Sequence, residues 1–552
     1  MQKSSMRRNV FIVLGLYAVS FVAASGCPAT KEPTTSKPRS TAAIPVSINA
    51  AAPDQVAVLP DAKTEASAAS THTKPAADSY GEAKKTKFDP VKVNGEYFVG
   101  WKKPKVAILI SGRQDGYLEP CGCAGLENQK GGMGRRHALI EQLKEEGWPL
   151  VAIDVGNLVR RFGKQAEVQF AISVEALKTM GYNAATFGPD DLRLSAGEVA
   201  AAVAGPDSGQ SLFVSANANV FGLTPKVQLI EKNGVKIGVT AVLGDTYRQD
   251  VNNAEIEFKS AADGLAEVTG ELAECDVRLL LAHTTKAEAI ELVKLYPNFD
   301  FVVVAEGGDE PPYLPESIEG TRTKLIEVGH KGMYCVVLGL YDDKKDPVRY
   351  QRVALDSRFP NSPEMKQLMT TYQEQLHDLG WAGVGLRPVA HPRTKDGVEG
   401  AGHFVGAETC KDCHTKAWDV WSASRHAHAT ESLVKATPPR QFDAECISCH
   451  AVGWNPQEFF PYVSGFESLE KTPHLAGNSC ENCHGPGGAH VAAEAGDSAA
   501  LRDEQRQLMK LPLADAKSHF CQKCHDLDNS PEFNKPDAFE HYWAEIEHIG
   551  KD

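Results

Sequence analysis

The chain carries too little positive charge, too short an apolar run and too few aromatic residues for several whole classes of protein. It holds 58 Lys and Arg against 72 Asp and Glu, a formal net charge of −14. Such a surface repels a polyanion, so no nucleic-acid partner is expected, and soluble, basic redox proteins are better matched. The apolar stretch at residues 10–24 (VFIVLGLYAVSFVAA) falls short of the ~20 residues that a membrane helix needs. Residues 28 to about 95 lack aromatics until Tyr80 and are rich in Ala, Thr, Pro, Ser and Lys. A segment so composed buries too little apolar surface to offset its chain entropy and is expected to be a disordered tether. Methionine is almost absent from residues 401–552, which hold Met509 alone but 12 of the 18 histidines.

Cysteine, by contrast, is plentiful and patterned. Of the 13 cysteines, eight fall in four copies of Cys-x-x-Cys-His: Cys410, Cys413 and His414; Cys446, Cys449 and His450; Cys480, Cys483 and His484; Cys521, Cys524 and His525. This is the attachment signature of c-type haem, in which two thiols become thioethers and the histidine becomes the proximal iron ligand. A zinc knuckle or redox dithiol would not require His after the second Cys each time. Four covalently bound haem c groups are expected. With one methionine nearby, the second axial ligand must mostly be histidine, from among His403, His426, His428, His474, His490, His519, His541 and His548. Haem attachment of this kind happens outside the cytoplasm, and the N-terminus reads as an export signal. Lys3, Arg7 and Arg8 precede the apolar stretch, and Ser25-Gly26-Cys27 follow it. This resembles a bacterial lipoprotein signal, with Cys27 lipidated and holding the protein on a membrane from the periplasmic side or the cell surface. Ala24 stands where Leu is more usual, and the alternative is an ordinary cleaved signal with an incidental cysteine.

The segment GAETCKDCHTKAWDVWSASRHAHATESL resembles the opening of the tetrahaem cytochrome c-554 family. CISCHAVGW, SCENCHGPGGAHV, FCQKCH and YWAEIEHIG match that family's later landmarks in order, so the resemblance spans 401–552. It implies a mainly α, haem-packed domain with three bis-histidine haems and a second haem that is five-coordinate and able to bind a small ligand. It implies His426, His490 and His548 as distal ligands, with His490 reaching back to the first haem; His428 and His541 compete. It also implies electron transfer with redox partners, either other cytochromes or quinol-linked membrane complexes.

Residues 104 to about 345 alternate strand and helix patterns. VAILIS (106–111), LVAIDVG (150–156), KIGVTAVLG, VRLLLAHT and FDFVVVAE read as buried strands, with helices at 131–147 and around 165–180, giving a layered α/β or α+β domain. Within residues 100–350, GGMGRRHALI, AIDVGN, GYNAATFGPDD, LLLAHTT, FVVVAEGGDE and IEVGHKGMYCVVLGLYDD resemble the 5′-nucleotidase branch of the calcineurin-like metallophosphoesterases. That family's chemistry needs two metals. The resemblance puts its first Asp and His on Arg113 and Asp115, its bridging Asp on Asn157, its Asn on Pro189 and its catalytic His on Asp190. His283 survives, and the closing His-x-His falls near Gly308 and Asp309. Ordinary phosphoesterase activity is therefore expected to be lost; Asp115, Asp190, Asp191, Asp309 and His283 are left as candidates for a different metal site.

Cys121 and Cys123, one glycine apart, read either as a structural disulfide or as a redox or soft-metal site. Cys275 and Cys335 read as buried apolar groups or a pair. Residues 362–381 have the pattern of an amphipathic helix, and 382–400 that of a connector. The organisation expected is thus signal (1–27), tether (28–95), phosphoesterase-like domain (100–350), helix and connector (360–400) and tetrahaem domain (401–552). Its function reads as that of a membrane-anchored electron-transfer cytochrome whose middle domain binds a substrate or partner. Alternatives are a redox enzyme oxidising a small sulfur or nitrogen compound, or an active metal-dependent 5′-nucleotidase.

Overall fold

The computed structural model describes residues 89–120, 129–204, 211–527 and 529–550. The export signal with Cys27, nearly all of the tether, and Cys121 with Cys123 lie outside the described residues. The tether expectation runs a few residues too far. Pro90–Asn94 form a helical turn capped by the Asp89 carboxylate, and the Asn94 amide donates to Asp356 at 2.8 Å. Asp at the N-cap followed by Pro is a strong local start signal, which an averaged composition hides.

The continuous apolar runs form two sheets packed face to face. In the first, five strands lie in the order Val348–Ala354, Tyr334–Leu340, Val106–Ser111, Leu150–Asp154, Ala184–Ala185. In the second, six strands lie in the order Glu316–Ser317, Lys324–Glu327, Phe301–Val304, Val277–His283, Val235–Leu243, Val227–Lys232. Side chains alternate across a strand, so each central strand feeds two cores. Val106, Ile108 and Ile110 face Ile237, Val239, Leu279 and Leu281 between the sheets. Ala107, Leu109 and Ala152 face outward against helices Met133–Glu145 and Lys164–Met180. Val242, Leu280, Val302 and Val304 do the same on the other side, under helices Ala261–Leu272 and Lys286–Leu295. The result is a four-layer α/β/β/α sandwich. Covering both faces of the mostly parallel central strands is what makes them read as unbroken hydrophobic runs rather than alternating ones.

One ion pair is sealed within the first sheet's helical side. Arg136 and Asp154 approach to 3.5 Å with both side chains fully buried. The Ser111 hydroxyl donates to Asp154 at 2.6 Å and lies 2.7 Å from the Tyr182 hydroxyl. Cys335 is buried beside this group and Cys275 packs behind Gly238; both are free thiols, so the two do not pair.

The C-terminal region is built differently. Its helices are short, including Ala407–Lys411, Thr415–Ser422, Ala444–His450, Cys480–His484 and Gly488–Ala495. Its apolar cluster, among the described residues, is only Phe404, Leu433, Ala444, Ile447, Ala451, Val452, Trp454, Phe466 and Leu475. Helices of one or two turns are unstable alone and need packing partners that this cluster does not supply. Helix Pro363–Gly383 braces the two regions. Its Trp381 meets Trp454 edge-on at 4.9 Å between ring centres and donates to the Glu467 carbonyl at 2.8 Å. Among the described residues no helix is long and apolar enough to cross a membrane.

Replacing Arg136 with Met leaves the Asp154 carboxylate buried without its cation. A loss of roughly 3–5 kcal/mol is expected, measured by urea unfolding against wild type.

Candidate functional sites

Each Cys-x-x-Cys-His motif sits on a single tight turn. The second and third occupy helices Ala444–His450 and Cys480–His484. In the first and fourth, the histidine amide donates to the carbonyl of the first cysteine four residues back, at 3.0 Å for His414 and 2.9 Å for His525. That spacing puts the first sulfur and the ring on one side of the turn.

The rings of these histidines are held by their Nδ1 atoms. His450 Nδ1 lies 2.7 Å from the Ala429 carbonyl, His484 Nδ1 2.6 Å from the Met509 carbonyl, and His525 Nδ1 3.0 Å from the Ser530 hydroxyl. A carbonyl acceptor at Nδ1, as for His450 and His484, places the proton there and leaves Nε2 bare for a metal. Burial lowers the pKa of His450 and His484, and takes His525 down to about 4. All three are thus kept neutral, the form that ligates. Met509, the single methionine of the region, offers its carbonyl here rather than its sulfur.

Three of the four motif histidines face a second imidazole. His414 and His490 have ring centres 6.4 Å apart, His525 and His426 6.0 Å, and His484 and His548 5.9 Å. Two nitrogens each about 2 Å from one metal leave ring centres roughly 6 Å apart once the half-width of each ring is added. The gaps therefore have the width of an iron ion. Among the described residues, no ring stands against His450 in this way. His428 is exposed and bonds Glu431 at 3.1 Å, while His541 is exposed and sits 3.9 Å from Glu545. His403, His474 and His519 are exposed.

The motifs also meet through sulfur. Cys410 of the first contacts Cys480 of the third, and Cys449 of the second contacts Cys524 of the fourth. Cys483 of the third is electrostatically close to Cys521 of the fourth. Glu481, a residue with no motif signal, is buried between them. Its carboxylate accepts from the amides of Gly406 and Gly487, at 2.7 Å each, and of Val405. It ties the first motif's helix to the third.

In the sandwich, the loops at the carboxyl edge of the first sheet bring several predicted residues together. Asn157 donates to the Asp115 carboxylate at 2.7 Å and receives the Asp190 amide at 3.4 Å, and Arg113 lies 3.9 Å from Asp115. Arg113, Asp115 and Asn157 all have positive φ, of 49°, 51° and 62°, and Gly156 reaches 86°. A side chain at Gly156 would meet the Phe187 carbonyl carbon at 2.6 Å, so the turn requires glycine. The other candidates have partners of their own, although His283 lies within electrostatic reach of Arg113 and Asp115. The Asp191 carboxylate accepts from the amides of Asn157, Leu158, Val159 and Gly188 and serves as a buried staple. Asp309 is exposed and pairs with His330 at 3.2 Å. The His283 ring is buried with Nδ1 2.8 Å from the Val155 carbonyl. Among the described residues, no group of three or more His, Cys, Asp or Glu is arranged to hold a metal ion. A separate cavity of about 170 Å³, lined by Lys105, Asp276, Asp300 and Asp342, lies at the other end of the strands and touches none of these residues.

The two regions meet beside the second motif. Arg161, four residues beyond Asn157, lies 2.8 Å from Glu445 and stacks on the Phe459 ring at 3.6 Å. Gln165 donates to the Asp443 carboxylate at 2.9 Å, and Arg440 pairs with Glu119. Sequence reasoning passed over these residues because paired charges in loops carry no spacing signal.

Together these features define a class: a layered α/β domain joined to a helical domain of repeated Cys-x-x-Cys-His turns. The comparisons sharpen the second half. Residues 409–485 match the family model of cytochrome c554 and c-prime. Cytochrome c-554 of Nitrosomonas europaea is 28% identical over 147 residues, a match covering 23% of this chain and 60% of that protein. The chain thus spans about 60% of this relative's length. For the sandwich, the solved structures include a 5′-nucleotidase precursor from Thermus thermophilus, at 15% identity and TM-score 0.41, covering 50% of this chain and 59% of that one. A sulfate thiohydrolase of the same organism, in complex with glycerol, aligns at 13% identity and TM-score 0.42, covering 50% and 62%. The sandwich architecture itself rests on the strand order described above.

Burial holds the His283 pKa down to about 4. The unfolded chain therefore binds a proton that the folded one refuses. Stability is full above about pH 6.5 and falls as pH drops toward about 4, by about 3 kcal/mol in all. His283→Gln should flatten this dependence, as checked by urea unfolding at about pH 7.5 and about pH 4.5.

Proposed function

We propose that this chain is a membrane-anchored, extracytoplasmic multihaem cytochrome c that mediates electron transfer. Its α/β domain binds a substrate or partner without hydrolysing phosphoesters. The observation that carries the reading is the iron-width spacing of three imidazole pairs, His414 with His490, His525 with His426, and His484 with His548. A small apolar cluster among short helices supports it, since large rigid apolar groups would complete such a core.

On this reading the four Cys-x-x-Cys-His turns hold four haem groups. His414, His450, His484 and His525 would hold the irons from the motif side, and His490, His426 and His548 would hold them from the other. When bound, haem supplies a one-electron iron centre whose potential follows its ligands and surroundings. The residues of the chain bind and orient. The Met509 and Ala429 carbonyls and the Ser530 hydroxyl fix the proximal rings, and Glu481 fixes the first turn against the third. The free thiols in contact here stand in for thioether sulfurs, so each contact marks two neighbouring attachment sites. The neighbours run first, third, fourth, second, a single file suited to electron passage. The side opposite His450, with no imidazole facing it among the described residues, is where a small ligand would enter.

The make-up of the crevice supports the proposed lack of hydrolysis. Arg113 brings a cation where a metal would sit, Pro189 offers no side-chain donor, and Asn157 and Asp115 are hydrogen-bonded to each other. The motifs require attachment outside the cytoplasm, and Cys27 supplies a lipid anchor there; other cytochromes or quinol-linked complexes are the fitting redox partners. A second reading, oxidation of a small sulfur or nitrogen compound, draws on the side of His450 that no imidazole faces among the described residues.

Intact mass of the purified protein should show four haem adducts, and colourless protein would refute the proposal. His490→Ala should convert one low-spin haem to high spin in electron paramagnetic resonance and leave the others as they were.

A further inference from the structure

The second motif stands at one end of the file of attachment sites, and it is the one that the α/β domain grips. Helix Ala444–His450 carries Cys446, Cys449 and His450, and its first turn faces the loop after strand Leu150–Asp154. Arg161 from that loop makes a charged contact with the helix, 2.8 Å to Glu445, with its guanidinium on Phe459. Both partners are only partly exposed, at 34% and 39% of their side chains. Four carboxylates (Glu119, Asp443, Glu445 and Asp526) and three guanidinium groups (Arg160, Arg161 and Arg440) surround this end. Arg160, Arg161 and Glu119 are supplied by the other domain.

We infer that Arg161 is a positioning residue for the haem attached at Cys446 and Cys449, so that the fused α/β domain sets the reduction equilibrium of that one site. The inference rests on the proposal that the four motifs carry haem. Adding an electron to an iron site lowers its charge, so a nearby cation favours the reduced form and a nearby carboxylate opposes it. Arg161 and Glu445 are therefore expected to act with opposite signs. A purely structural pair would not do so, because breaking it from either side disturbs the same contact.

The test is a potentiometric titration of the full-length, haem-loaded protein, followed by optical and electron paramagnetic resonance spectra. The component missing from a Cys446→Ser, Cys449→Ser variant identifies the second site. Arg161→Gln should shift that component's reduction equilibrium toward the oxidised form by up to about tenfold, about 59 mV for one electron. Glu445→Gln should shift it the other way, and Arg161→Lys should stay near wild type. The other three components, unmoved, report an intact fold. The inference is overturned if Arg161→Gln and Glu445→Gln leave the component in place, move it in the same direction, or move all four together. Absence of a haem adduct on Cys446 and Cys449 in the wild-type mass spectrum defeats the underlying proposal as well and is told apart by that measurement.

Discussion

The C-terminal region buries too few apolar side chains to hold itself together, and the rest of its design answers that shortage. Ordering a residue's backbone costs about 1–2 kcal/mol, and in the sandwich three extensive clusters of Val, Ile, Leu and Phe repay it. After residue 401 the main cluster shrinks to nine residues, while sulfurs and imidazoles are brought inward in their place. On the proposed reading the missing core is porphyrin. Folding and cofactor loading are then one process, and buried polar links such as Glu481 fix how neighbouring attachment turns are set against each other.

The sandwich shows the opposite economy. Its core is packed down to the buried Arg136–Asp154 pair, while the polar groups of the loops at its carboxyl edge are satisfied by one another. Asn157 satisfies Asp115, Asp191 staples four amides, and His283 leans on a backbone carbonyl. Four-layer packing is indifferent to what the loops at its edge contain, so the fold of such a domain does not by itself fix its chemistry.

Much of this was legible in the sequence where the signal is local. VAILIS is a buried strand over Val106–Ser111, as its unbroken apolar run requires, and the brace helix begins at Pro363 behind a Ser362 cap that the pattern nearly located. The motif turns were legible because covalent chemistry demands their spacing. Local patterns cannot say that His490 lies against His414 or His426 against His525, because those partners meet only through the tertiary fold; family resemblance supplied the distal candidates instead. The contacts of Arg161, Gln165 and Glu481 were not legible at all. Each is a common polar residue in an unremarkable context, made specific by what the chain brings next to it.

The indole seam at Trp381 has a kinetic meaning. Two proteins that trade electrons by collision do so at a rate that falls on dilution and, where charge steers them, on adding salt. Joined through one brace helix and held by Trp381, Arg161 and Arg440, the two regions have no encounter to wait for. Any traffic between them is first order, fixed by the geometry of the joint and independent of how much of the protein is present.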